Sequence, residues 1–97
     1  MPNGKEKLKM KTKTYNVYAD PSHAWVKVKI AELDKLGISR YISEFSYARG
    51  NYAYLEEDQD ASTLIDELER RGIEPKFKFH HTDKQSKIRN YMSFTRR

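Results

Sequence analysis

No cysteine occurs among the 97 residues, which excludes disulfides, thiolate catalysis and cysteine-ligated zinc or iron–sulfur centres. No apolar run approaches the roughly 20 residues that a bilayer-spanning helix needs. The N-terminus has no apolar signal core, so a cytoplasmic protein without membrane contact is expected. Only four glycines are present, and none builds a phosphate-cradling loop or a nucleophile elbow. Hydrophobic residues make up 37% of the chain against 34% charged. A single domain of this size must then build an economical, aromatic-rich core with a thin stability margin.

The charge is unevenly placed. Residues 1–13 carry five lysines and one glutamate, residues 14–75 seven basic and twelve acidic groups, and residues 76–97 seven basic and one acidic group. The net +5 therefore sits at the two ends, around an acidic middle, which implies a directed electrostatic surface. Residues 1–13, with lysine at every second position from Lys5 to Lys13, read as a flexible basic arm. Residues 14–97 read as one folded domain.

Aromatics are concentrated in Tyr41–Glu57, YISEFSYARGNYAYLEE. This segment reads as two strands joined by a tight primed turn at Gly50-Asn51. That turn pairs Arg49 with Tyr52, Tyr47 with Tyr54 and Phe45 with Glu56. Phe45, Tyr47, Arg49, Tyr52 and Tyr54 then share one face, while Ser46, Ala48, Ala53 and Leu55 share the other. If the small face is buried, the aromatic face is a platform on which bases can stack. If the aromatic face is buried, the rings are core.

The remaining elements follow from periodicity and punctuation. Tyr15–Tyr18 is a short strand, followed by a turn at Asp20-Pro21-Ser22. Ala24–Ile30 alternates, with Trp25, Lys27 and Lys29 opposite Val26, Val28 and Ile30. Ala31–Leu36 is a short helix stopped by Gly37. A second helix starts from an N-cap at Asp60, carries Leu64, Ile65 and Leu68 as its apolar stripe, and ends at Gly72. Lys76–His81 and Lys87–Thr95 are the last strands. Glu32–Ile38 and Glu67–Ile73 echo each other at an offset of 35. From Ala24 to His81 the order is β-α-β-β-α-β, that of the split βαβ or ferredoxin-like fold. The expectation is an α+β domain with an antiparallel sheet, helices on one face, and an N-terminal and a C-terminal strand added. An open sheet edge leaves both a monomer and a homodimer available.

Three groups of residues carry candidate chemistry. The first is the aromatic platform with Trp25, Phe45, Tyr47, Tyr52 and Tyr54, where stacking contributes about 1–3 kcal/mol per base. The second is the set Arg49, Lys76, Lys78, Lys84, Lys87 and Arg89, placed to track phosphates. The same cations suit an acidic protein partner or a protected edge strand. The third is His23, His80 and His81, which with lysine or arginine contain the parts of a metal-independent ribonuclease. His80 and His81 must point to opposite faces. The acids Glu56, Glu57, Asp58 and Asp60 form a turn and cap rather than a calcium loop. No cofactor and no metal is expected.

Arg49-Gly50-Asn51-Tyr52-Ala53-Tyr54-Leu55 resembles the ribonucleoprotein motif of RNA recognition modules, with Asn51 inserted after the glycine. Tyr18–Trp25, Tyr47–Asp58 and His81–Tyr91 also resemble small proteins of phages and mobile elements that have no known activity. That resemblance implies an accessory role and no mechanism. The sequence thus predicts a non-catalytic binding protein whose ligand is single-stranded nucleic acid. The alternative is a module that binds a host or defence protein, and a small ribonuclease is third.

Overall fold

A computed structural model describes residues 11–95. The basic arm lies outside these residues except for Lys11–Lys13, which open the first strand. In chain order the elements are β1 (Lys11–Ala19), β2 (Ala24–Lys29), α1 (Ile30–Lys35), β3 (Tyr47–Arg49), β4 (Tyr52–Glu56), α2 (Asp60–Arg70), β5 (Ile73–His81) and β6 (Met92–Ser93). Short 3-10 turns cover Ser39–Tyr41 and Lys87–Asn90.

The domain is α+β, as expected, but its sheet is mixed. The order is β5-β1-β2-β4-β3-β6, and β1–β5 is the parallel pair. β2 and β3 both run antiparallel to β4, and α1 links them. β4 and β5 also share a direction, and α2 links them. Parallel strands need such crossovers.

The expected ferredoxin-like strand order does not form. The N-terminal strand is not an appendage, because it lies inside the sheet between β2 and β5. It is nine residues long, and all nine pair with β5. Its alternation explains the position: Tyr15 and Val17 are buried in the core beside Val26. β5 takes the edge, where Pro75 and exposed lysines are tolerated.

The core lies between the sheet and the helices. Val17, Val26, Val28, Ala53 and Leu55 meet Leu33, Leu64 and Leu68 there. The echo between the helix ends has a structural counterpart. Leu33 and Leu68 are both fully buried, and Gly37 and Gly72 both take positive φ. At Gly37 the Ile38 N–H reaches the Leu33 carbonyl at 3.0 Å, the helix stop that a left-handed residue permits.

The hairpin forms in the expected register, with Arg49 opposite Tyr52 and Tyr47 opposite Tyr54. Gly50 has φ +62° and Asn51 does not enter that region, the pattern of a type II′ turn. Phe45 stays outside β3, so its expected pairing with Glu56 is absent. The last strand is also shorter than expected. Lys87–Asn90 coils into a turn because Ile88 is drawn into a buried cluster, and Met92–Ser93 alone pairs with β3.

Asp60 is not an N-cap. It is the first helical residue, and its Oδ2 accepts from Ser43 N (3.0 Å), Ser43 Oγ (2.7 Å) and Ser46 Oγ (2.5 Å). The turn before α2 is tied instead by Glu56, whose carboxylate accepts from the Asp58 and Gln59 N–H groups. Ser46 is fully buried and also accepts from Glu56 N at 2.8 Å. Ser46→Ala removes the acceptor of the Glu56 N–H and one of the three donors to Asp60 Oδ2, and is expected to cost about 1–3 kcal/mol. Thermal unfolding checks this, at roughly 4–8 °C of Tm per kcal/mol for a domain of this size.

Candidate nucleic-acid interface

Strand side chains alternate between faces, so the register fixes what lies away from the helices. Because Val17, Val26, Val28, Ala53 and Leu55 take the helix side, their neighbours take the other. This helix-free face carries Asn16 and Tyr18 of β1, Trp25, Lys27 and Lys29 of β2, and Tyr52 and Tyr54 of β4. It also carries Tyr47 and Arg49 of β3, and Lys76, Lys78 and His80 of β5. The sequence-based choice between the two faces of the hairpin is thereby settled: Ala48, Ala53 and Leu55 face the helices, and the tyrosines face away.

The C-terminal segment crosses part of this face. Ile88 is buried against Trp25 and Tyr54, and Tyr18, Tyr47, Tyr52 and Tyr91 pack around them. Asp20 pins the segment. Its side chain is 1% exposed and accepts from Ser86 N at 2.9 Å and from Arg89 Nε and Nη2 at 2.7 and 3.1 Å. It also accepts from Ser22 N and His23 N in its own turn. The Arg89 hydrogen bonds, then that of Ser86, hold the Asp20 carboxyl well below the usual carboxylate range. The same guanidinium lies 5.4 Å from the Trp25 ring centroid.

The expected site residues therefore divide. Trp25 and Tyr54 are only 3% and 8% exposed, so these two rings form a small second core. Burial, the largest cause, raises the Tyr54 hydroxyl pKa above its ordinary value. Tyr47 and Tyr52 are half-buried at the surface of the cluster. Phe45 is 68% exposed but lies in the loop before β3, apart from that cluster. Lys76, Lys78 and Arg49 are exposed on the helix-free face, and Lys84 and Lys87 are exposed in the C-terminal segment. Arg89 is committed to Asp20.

Sequence reasoning left out Tyr18, Lys27 and Lys29 from this face. Lys27 Nζ sits 4.3 Å from the Tyr52 ring centroid, and Arg49 lies 5.1 Å from that of Tyr91. The signal for Lys27 and Lys29 was present in their alternation with Trp25. No signal marked Asp20 beyond its turn, because its partners lie 66 and 69 residues away.

Charge on the helix side is mixed: exposed Asp34, Asp66 and Glu69 share the helices with exposed Lys35 and Arg70. Alternation places Glu56 and Glu74 on the helix-free face, at strand ends, and Glu56 is engaged in its turn. The three histidines have separate surroundings. His80 Nε2 is 2.9 Å from Asn16 Oδ1 and its ring stacks on Tyr18. His81 stacks with Phe79, and His23 approaches Glu57 at 3.8 Å. Among the described residues no cluster of three histidines or acids is placed to hold a metal ion. No helix among them is long and apolar enough to cross a membrane. Comparison with family models, with curated proteins and with solved structures found no match to the chain.

Proposed function

We propose that this protein is a non-catalytic binding protein that holds single-stranded nucleic acid on the helix-free face of its sheet. One observation carries the reading. That face collects five cations (Lys27, Lys29, Arg49, Lys76 and Lys78) together with Tyr18, Tyr47 and Tyr52, while its acids Glu56 and Glu74 lie at strand ends. Cations that follow a backbone and rings that accept any base are the two parts of sequence-tolerant single-strand binding. An accessory role in a phage or mobile element, in the cytoplasm, is the setting we propose for it.

Tyr52 is the ring to test. It is half-buried, at the rim of the second cluster, so its removal leaves both cores in place. In an anisotropy titration with a labelled oligonucleotide of about 12 residues, Tyr52→Ala is expected to weaken binding by the ~1–3 kcal/mol of one stacked base, or about 5–150-fold. Unchanged binding by a folded Tyr52→Ala variant would contradict the reading. Tyr54→Ala is no equivalent test, since Tyr54 is buried and its loss disturbs the fold.

A second reading rests on a different observation. β5 is an edge strand of nine residues, and Phe79 on it is 60% exposed. An edge of that length accepts an extended segment of a protein partner by strand addition. Retention of one host protein from nuclease-treated lysate, lost on Phe79→Asp, is its expected result.

A further inference from the structure

Where the C-terminal segment leaves the sheet, it roofs a cleft. One cavity of about 320 Å³ is lined by Tyr18, Lys27, Tyr54, Lys87, Ile88 and Tyr91, with Ser86 at its rim. A second, of about 370 Å³, continues past Tyr18, Ser86 and Lys87 to His80 and Lys84. Each is at the lower end of the roughly 300–1,000 Å³ typical of small-molecule sites.

The lining is selective in two ways. Its walls are aromatic: Tyr54 and Tyr91 lie 5.1 Å apart at 59°, and Tyr18 and His80 are stacked at 4.8 Å. Its only charged side chains other than histidine are lysines, with no carboxylate in either cavity. An aromatic, lysine-edged slot without acids fits a flat ring joined to an anion. The cleft is also preorganised. Asp20 fixes Ser86 through its N–H and Arg89 through its guanidinium, and Lys87 and Ile88 lie between them. A roof held in place before binding spares the ligand the entropy of ordering it.

We propose that this cleft takes one nucleotide unit, its base between Tyr18 and Tyr91 and its phosphate at Lys84 and Lys87. The proposal rests on the single-strand reading and deepens it by naming a pocket distinct from the flat platform at Tyr52. The unit can be a free nucleoside monophosphate or one residue of a bound strand.

The test uses the full chain and three probes in calorimetric titrations: thymidine 5′-monophosphate, thymidine, and a thymidine oligonucleotide of about 12 residues. Lys84→Glu/Lys87→Glu is the diagnostic variant, because both side chains are exposed and neither supports the core. Expected results are monophosphate binding without comparable thymidine binding, and at least about a tenfold loss of oligonucleotide affinity in the variant, or roughly 1.4 kcal/mol. Oligonucleotide binding that is lost in the variant, with no binding of the free monophosphate, assigns the cleft to a residue within a strand and also supports it. Oligonucleotide binding unchanged in the lysine variant but weakened by Tyr52→Ala overturns the cleft and leaves the platform standing. No binding of any probe by the wild type overturns both.

Discussion

In Asp20→Asn the emission of Trp25 is expected to move to longer wavelength and become accessible to a soluble quencher. Trp25 is the chain's single tryptophan, so the signal is unambiguous. It is 3% exposed, and its cover includes Arg89 and Ile88, part of a segment that Asp20 ties down, beside Tyr47 and His23. Asparagine can still accept from Ser22 and His23 through one oxygen. At the other position it offers an N–H to the Ser86 N–H and to a guanidinium, where two donors meet. Breaking a buried pair from one side leaves an uncompensated charge, the costly way to lose it. The roof should loosen while the helix-side core persists, because no residue of the segment from Thr82 to Tyr91 belongs to that core. An unshifted, fully protected Trp25 in this variant would contradict the latch.

The same pair sets a pH dependence. Arg89 holds the Asp20 carboxyl well below its ordinary value, so the folded chain binds that proton more weakly than the unfolded chain. The carboxylate therefore contributes stability above the unfolded value of about 3.9, and that contribution is lost as pH falls below it. Wild-type unfolding midpoints should fall in this acid range. Asp20→Asn should lack part of the fall. A remainder is expected from Glu67, which Arg70 and Arg71 hold down at about 2.

Salt is expected to weaken single-strand binding steeply. If the five cations of the helix-free face each neutralise one phosphate, the slope of log affinity against log salt is about −3.5, at ~0.7 per contact. Between about 50 and 200 mM salt, affinity then falls on the order of 100-fold. Lys76→Glu/Lys78→Glu should bring the slope to about −2. Both side chains are exposed on an edge strand, so the fold is not at stake. Glu69→Lys on α2 is the control. It raises the net charge on the helix side, and the slope should not change. A slope that follows net charge in all three proteins would mean non-specific attraction rather than a binding face.

How much of this was legible depended on the range of the interactions involved. The hairpin register, the helix stops at Gly37 and Gly72 and the face shared by Tyr47, Tyr52 and Tyr54 follow from neighbours within a few residues, and these readings match the structure. The place of β1 does not follow from such neighbours. Its pairing with β5 joins residues about sixty positions apart, and its four-residue apolar signal gave no hint of a nine-residue strand. The fate of Trp25 and Tyr54 is the clearest case. Alternation grouped Tyr54 with Tyr47 and Tyr52, and Trp25 with Lys27 and Lys29, but left open which face the helices cover. It could not show that Ile88, a lone apolar residue among polar ones, would fold over Trp25 and Tyr54. That closure depends on Asp20, whose local role as a turn residue gave a sufficient account of it in the sequence. Likewise Asp60 had the look of an N-cap, but two serines of the loop before β3 claimed its carboxylate.

The most direct measurement of the central claim is a nuclear magnetic resonance titration with a single-stranded oligonucleotide, following aromatic ring signals. Rings of Tyr18, Tyr52 and Tyr91 are expected to shift, while Tyr15 and Phe77 on the helix side stay fixed. Shifts confined to the helix side, or none at saturating oligonucleotide, would contradict a nucleic-acid interface on the helix-free face.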